Sequence, residues 1–153
     1  MSRQRRKGTS FESAIVKWLR ERLGIETIER QPMHGSRDTG DIKGLVAHGF
    51  SGIVEAKDHK SISPSLLEKW KAQTVVEREN AGADFALLVV HKPGVGATRF
   101  GLNDCYMQIR DLAKVMGGKF TCHAGESAMG LWVHVTLEDA CKMMEDEERG
   151  ESL

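Results

Sequence analysis

Residues 40–58 read GDIKGLVAHGFSGIVEAKD, a stretch that predicts two short antiparallel strands joined by a glycine-containing turn. Side chains alternate between the two faces of a strand, so Glu55 and Lys57 project from the same face. If the hairpin turns about His48, Asp41 lies opposite Glu55 on the neighbouring strand. The hairpin therefore predicts two carboxylates and one lysine grouped together.

A group of this kind suits a metal-dependent hydrolase. Two carboxylates at cross-strand distance repel each other unless a cation lies between them. Hard oxygen ligands that leave several waters on the ion favour Mg²⁺ over zinc, and Mn²⁺ is expected to substitute. Lys57 would then hold or polarise the attacking water and the phosphate oxygen that it approaches.

The Glu-x-Lys triplet also has an ordinary explanation. With average residue usage it arises by chance about once in every two chains of this length, and on an exposed strand it would be a charged surface. However, Ile53, Val54 and Ala56 make this strand mostly apolar, so an embedded acid and base need a reason. Asp41, at the start of the preceding strand, supplies one.

Length and composition indicate a single domain over residues 1–153, with a flexible basic arm at 1–7 and a flexible acidic tail at 145–153. No apolar run approaches membrane-spanning length, and the N-terminus lacks the apolar segment of a secretory signal, so we expect a cytoplasmic protein without membrane contact. The three cysteines are an odd number and form no CxxC pair, which favours reduced thiols.

The charges are unevenly distributed although the formal net charge is zero. Residues 1–22 carry seven basic and two acidic side chains, whereas residues 137–153 carry seven acidic and two basic ones. The basic end predicts phosphate contacts near the first helix, through Arg5, Arg6 and Lys7. A solvated, disordered arm without a function explains the same charges.

Residues 8–23 predict the first helix, with Gly24 as its stop. Thr9-x-x-Glu12 fits a capping box, a structural role in which the acid bonds a backbone N–H at the helix start. Glu12 also lies over Ile15 on the apolar side of the helix, from where it would reach the metal site. The two roles are compatible, and the sequence leaves both open.

Three further polar residues flank the hairpin. The glycine-flanked loop over residues 33–40 contains Ser36 and Arg37, which are suited to hydrogen-bond a phosphate, and Asp38, which is suited to support the metal ligands. Lys60, just after the second strand, is suited to contact a backbone phosphate. A solvated turn at 33–40 and a simple strand end at Lys60 are the alternatives.

A second helix is predicted over residues 64–81, with Ser63 as its N-cap. Gln73 lies on one face of this helix together with Trp70 and Glu77. Among apolar neighbours Gln73 is a candidate for orienting water or substrate, although a glutamine at the core edge is the commoner explanation.

The remaining pattern alternates strands and helices. We expect strands over 25–31, 84–91, 119–122 and 131–135, a helix from Asn103 to 116, and a last helix over 137–148 capped by Thr136. The run at 84–91 is continuously apolar and predicts a strand buried on both faces.

Four segments resemble the PD-(D/E)xK nuclease superfamily, and within it the archaeal-type Holliday junction resolvases and similar phage nucleases. The segments are GTSFE at 8–12, GDI at 40–42, VEAK at 54–57 and NAGAD at 80–84. The resemblance covers roughly residues 7–92. It implies an α/β, restriction-endonuclease-like fold with a mixed β-sheet flanked by helices.

The resemblance also implies roles for individual residues. Asp41, Glu55 and the carbonyl of Ala56 would bind Mg²⁺, Lys57 would assist the nucleophilic water, and Glu12 would complete the metal shell. It implies a homodimer whose two sites nick a symmetric four-way junction in DNA recombination and repair. The open alternatives are the same chemistry on flap, single-stranded or other branched DNA, and a non-catalytic DNA-binding module on the same fold.

Overall fold

The computed structural model describes residues 2–32, 37–118 and 125–145. Within these ranges the chain forms helices on both faces of one six-stranded sheet. The elements in chain order are α1 (Arg3–Leu23), β1 (Glu29–Arg30), β2 (Ile42–Ala47), β3 (Phe50–Lys57), α2 (Pro64–Ala81), β4 (Phe85–Val90), a 3₁₀ helix (Ala97–Leu102), β5 (Asp104–Gln108), α3 (Ile109–Val115), α4 (Glu126–Met129), β6 (Trp132–Thr136) and α5 (Leu137–Met144).

The sheet is mixed, and its strands follow the chain order from β1 to β6. β3 and β4 run parallel because α2 connects them as a crossover, while the other neighbouring pairs are antiparallel. All six residues of β4 are buried, as its continuous apolar sequence predicts. The α/β class with a mixed sheet flanked by helices is therefore confirmed.

The two faces of the sheet are packed differently. One face carries the main core, where Phe11, Ile15 and Leu19 of α1 meet the inward residues of the strands and the buried side of α5. The other face is covered by α2, whose Trp70 packs with Leu88 of β4 in a much smaller apolar cluster. Glu55 and Lys57 point to this second face, where less apolar material surrounds them.

The hairpin between β2 and β3 keeps the expected pairing at its far end by means of a bulge. His48 and Gly49 form the turn, both with positive φ, at 50° and 83°. Next to the turn the pairing is shifted by one residue from the expected register, and an irregularity before Leu45 shifts it back, so that Ile42 pairs with Val54. Asp41 therefore lies beside Glu55, as the sequence predicted.

Gly44 allows this bulge. Its φ is 84°, and a Cβ atom there would lie 2.0 Å from the carbonyl oxygen of Thr27. Only glycine combines that backbone conformation with so close an approach of another chain segment. The position of Asp41 thus depends on a glycine three residues away.

The first helix begins five residues earlier than predicted. The Ser2 hydroxyl accepts a hydrogen bond from the Arg5 amide and caps the helix, so α1 starts at Arg3. Residues 3–7 are arginine, glutamine and lysine, which are good helix formers, and they extend the helix instead of forming a separate arm. The prediction of a capping box at Thr9 and Glu12 is wrong, because Glu12 lies well inside the helix.

The second half of the chain departs from prediction at β5. Asn103 does not start a helix; it ends the 3₁₀ helix, and its side chain accepts a hydrogen bond from the Lys92 amide. The next five residues alternate, with Cys105 and Met107 buried in the main core, and form a strand before the short helix α3. The strand expected over 25–31 is only Glu29–Arg30.

Other predictions in this half are confirmed. Thr136 caps α5 by accepting from the Asp139 amide, and β6 covers the expected strand to within one residue. The strand predicted at 119–122, and most of the acidic tail, lie outside the described residues. In the part of the chain that the structure describes, no helix is long and apolar enough to cross a bilayer.

Candidate active site

Asp41 stands at the start of β2 and is held against β3 by two hydrogen bonds. Its amide donates to the Val54 carbonyl at 3.1 Å, and its Oδ2 accepts from the Ala56 amide at 2.9 Å. Burial raises the pKa of the Asp41 carboxyl to about 8, and the neighbouring Glu55 charge adds to the shift. The backbone pairing therefore fixes this carboxyl next to Glu55.

Glu55 and Lys57 form an ion pair on the face that α2 covers. The Lys57 Nζ lies 2.9 Å from Glu55 Oε1 and donates to Gln73 Oε1 at 3.2 Å. It also lies 5.9 Å from the ring centroid of Trp70. Gln73, predicted as a water-orienting residue, contacts the lysine in this structure, which makes it a positioning residue for Lys57.

Glu55 is almost fully buried, with 2% of its surface exposed. Its Oε2 has no hydrogen-bond partner among the described residues. Burial raises the pKa of Glu55 to about 9, and direct contact with the carboxyl of Glu77 raises it further against the opposing effect of Lys57. One oxygen of this acid is thus buried without a donor.

Glu77 on α2 is the site residue that the sequence did not single out. It is 1% exposed, and neither of its oxygens has a hydrogen-bond partner within the described ranges. Burial raises its pKa to about 7; contact with Glu55 works against the rise, and the Asp38 charge adds to it. Burial therefore favours the protonated form of this acid when no cation is bound.

The spacing of α2 explains how Gln73 and Glu77 both reach the site. Two residues along β3 and four residues along α2 both span roughly 6 Å, so Gln73 meets Lys57 while Glu77 meets Glu55. The four-residue spacing from Gln73, on the face that carries Trp70, is the sequence signal for Glu77. An acid at a core-facing helix position is as unusual as Glu55 on its apolar strand, and it indicates a function in the same way.

Glu12 lies near the site but is tied to another residue. Its Oε2 accepts from the Arg30 Nε at 3.0 Å, and its charge contributes to the raised pKa of Asp41. The residue after Arg30 pairs with Asp41, since the Gln31 amide donates to the Asp41 carbonyl at 2.8 Å. Glu12 is therefore close enough to influence Asp41, from the side of β1.

The loop before Asp41 is held by the end of α2. The Asn80 amide group donates to the Asp38 carbonyl at 2.8 Å and accepts from the Arg37 Nε at 3.2 Å. The Asp38 carboxylate accepts from the Gly40 amide at 3.0 Å. Ser36 lies outside the described residues. Asp38 thus shapes the turn that leads to Asp41.

Two of the basic candidates, Lys7 and Lys60, lie where β3 ends. Lys7 lies 3.3 Å from Asp58, the residue that follows Lys57, and Lys60 is exposed two residues further on. An open groove at this place is lined by Ser2, Arg3, Lys7, Asp58, His59 and Lys60. Arg5 and Arg6 are exposed on the first turns of α1. A basic groove therefore adjoins the end of β3 that carries Lys57.

The chemistry of these side chains suits a hard divalent cation. Buried carboxyl groups need either protons or a cation, and carboxylate oxygens are the ligands that Mg²⁺ and Mn²⁺ prefer. Within residues 2–32, 37–118 and 125–145 no three Asp, Glu, His or Cys side chains surround one common point. Instead, one oxygen of Asp41 is bonded to the Ala56 amide, and one oxygen of Glu55 is bonded to the Lys57 ammonium. The second oxygen of Glu55 and both oxygens of Glu77 have no donor among the described residues.

Comparisons with known proteins give one sequence family and one solved structure. The family described as "Phage putative PDDEXK endonuclease" matches residues 3–147. Hjc, a Holliday junction resolvase from the archaeal hyperthermophile Archaeoglobus fulgidus, is similar in structure with 18% sequence identity and a TM-score of 0.47, over 88% of this chain and 99% of that chain. No curated protein matches the sequence.

Proposed function

This chain belongs to the phage PDDEXK endonuclease family, and we propose that it is a divalent-metal-dependent endonuclease that hydrolyses phosphodiester bonds in branched DNA. The observation that carries the proposal is the buried group of Asp41, Glu55 and Lys57, in which one carboxylate oxygen has no donor among the described residues. Such a group is costly for stability, and a cation together with a phosphate accounts for its retention.

Asp41, Glu55 and the carbonyl of Ala56 would hold the cation, with Mg²⁺ as the expected ion and Mn²⁺ as a substitute. When bound, such a cation neutralises phosphate charge and lowers the pKa of coordinated water. The protein's part is to keep the two carboxyl groups adjacent, which it does through the pairing of β2 with β3.

Lys57 provides the positive charge on the reacting side. Its Nζ is held between Glu55 and Gln73, so the ammonium is oriented before the substrate arrives. An oriented donor stabilises the negative charge that develops on the phosphate and orients the attacking water. Gln73 acts through Lys57, and Glu12 is proposed to complete the acidic surroundings of Asp41.

The DNA backbone would lie along the basic groove at the end of β3. Lys7 and Lys60 line the groove, and Arg5 and Arg6 extend the positive charge along α1. Ser36 and Arg37, which precede Asp41 in the sequence, are proposed to contact phosphate as well. We propose four-way junctions as the preferred substrate and a homodimer as the active form, because the four motifs resemble those of junction resolvases.

The test is a panel of labelled four-way, three-way, flap and linear DNAs incubated with the protein and Mg²⁺. We expect the four-way junction to be cut fastest, and faster cutting of flap or single-stranded DNA would replace the proposed substrate. Asp41→Asn, Glu55→Gln and Lys57→Ala should each abolish cleavage and leave junction binding intact. Full activity in EDTA would refute the metal mechanism, and binding without any cleavage would indicate a non-catalytic DNA-binding module.

A further inference from the structure

Glu77 is a buried carboxyl group beside Glu55, and the proposed mechanism does not use it. Its side chain is 1% exposed, and neither carboxylate oxygen has a donor among the described residues. The position faces the sheet from α2, where an apolar residue or a glutamine would fill the same space without the cost of an uncompensated charge. A purely structural role therefore does not explain the acid.

The surroundings of Glu77 are acidic. The charged groups that act on it are the carboxyls of Glu55, Asp38 and Asp41. Lys57 is bonded to the opposite oxygen of Glu55 and to Gln73. The adjacent Arg78 points elsewhere, to Asp111. Carboxyl groups are thus concentrated around Glu77, and no protein cation is bonded to it among the described residues.

We propose that Glu77 on α2 is a further carboxylate ligand for the divalent cation, and that the carboxyls of Asp41, Glu55 and Glu77 converge on one point only when the ion binds. The proposal rests on the proposed function, and it adds a residue from outside the strands to the ligand set. It also gives α2 two tasks along one face, since Gln73 orients Lys57 while Glu77 binds the ion next to Glu55. Cation binding would then join α2 directly to β3.

The test is calorimetric titration of the full-length, metal-free protein with Mn²⁺, without DNA. Glu77→Gln removes the charge and keeps the shape of the side chain, and Glu79→Gln, an exposed position on the same helix, is the matched control. We expect Glu77→Gln to weaken Mn²⁺ binding at least tenfold, which corresponds to about 1.4 kcal/mol, and Glu79→Gln to bind like the wild type.

Two further measurements make the result decisive. Thermal unfolding in EDTA should show Glu77→Gln to be at least as stable as the wild type, because the substitution relieves repulsion between acids. Glu77→Asp, which keeps a shorter carboxylate, should bind Mn²⁺ more tightly than Glu77→Gln. If Glu77→Gln is folded and binds Mn²⁺ within twofold of the wild type, the inference is overturned.

The outcome separates the inference from the proposed function. If the wild type binds Mn²⁺ and cuts DNA while Glu77→Gln binds Mn²⁺ equally well, only the role of Glu77 is wrong. If the wild type itself binds no Mn²⁺, the metal mechanism fails and the inference fails with it.

Discussion

Glu77 and Arg78 are neighbours in α2, and both are buried, yet their surroundings are opposite. The guanidinium of Arg78 donates to both oxygens of Asp111, at 3.0 and 2.9 Å, and to Gln108 at 2.8 Å. Glu77 contacts Glu55, another acid, and its oxygens have no donor in the described part of the chain. Paired buried charge ties α2 to the elements beyond β4, whereas unpaired buried charge marks the site that needs a ligand.

The largest expected effect comes from breaking the buried ion pair of Arg78 and Asp111. Arg78→Met leaves Asp111 buried without its cation, and we expect it to lower the unfolding free energy by about 3 kcal/mol or more. Denaturant unfolding measures this, and the double variant Arg78→Met/Asp111→Leu should recover much of the loss. A cost below about 1 kcal/mol for Arg78→Met would show that the pair is not a structural tie.

The buried acids Asp41, Glu55 and Glu77 should make stability depend on pH in the opposite sense to an ordinary salt-bridged acid. The pKa values of Asp41, Glu55 and Glu77 are raised to about 8, 9 and 7, so the folded, metal-free protein holds protons that the unfolded chain has released. The contribution to stability is complete at low pH and falls as pH rises from about 4 to about 9.

Unfolding free energies in EDTA at pH 6 and pH 9 check this, and we expect the lower value at pH 9. Glu55→Gln is the control, because it removes one of the three titrating groups and should flatten the dependence. Equal stability at both pH values, or greater stability at pH 9, would contradict the raised pKa values of these carboxyls.

Glu12 tests whether a residue of α1 acts together with the buried acids Asp41, Glu55 and Glu77. Its pair with Arg30 is partly exposed, so Glu12→Gln should cost less than about 1 kcal/mol of stability. If Glu12 completes the metal surroundings, cleavage should nevertheless fall at least tenfold. The control is Glu29→Gln, which removes an exposed pair with Lys43. Unchanged cleavage by Glu12→Gln would leave this residue only its pairing with Arg30.

The smallest expected effect concerns Arg5 and Arg6. These exposed arginines belong neither to the buried ion pair of α2 nor to the buried acids of the site. Arg5→Gln/Arg6→Gln should reduce the slope of log binding constant against log salt by up to about 2, because each lost phosphate contact removes roughly 0.9. Lys17→Gln, an exposed position farther along α1, is the control. A slope equal to that of the wild type would discard the proposed phosphate contacts.

The sequence predicts the parts of the molecule that depend on local signals. Ser63, Pro64 and Gly82 mark the ends of α2, as a side-chain cap, a first-turn proline and a left-handed C-cap. The apolar run of β4 marks a strand buried on both faces. The hairpin pattern also predicts Asp41 beside Glu55, although the pairing next to the turn is shifted by one residue and the bulge before Leu45 restores it.

Features that depend on contacts between distant segments escape prediction. The bulge at Gly44 exists because residue 27 approaches the backbone there. β5 forms because Cys105 and Met107 pack into the main core, although Asn103 predicts a helix start. Glu77 becomes significant only when α2 lies across β3, since the helix pattern alone does not show which residue it will meet.

Thermal unfolding of the metal-free protein at pH 8 with increasing Mg²⁺ tests most directly whether the buried acidic group is a cation site, with NaCl of equal ionic strength as the control. At 100 times the dissociation constant a bound ion adds about 2.7 kcal/mol, so the wild-type Tm should rise by roughly 5–10 °C. Glu55→Gln should unfold at the same temperature with and without Mg²⁺. A wild-type Tm that does not respond to Mg²⁺, or an equal rise in Glu55→Gln, would contradict the account.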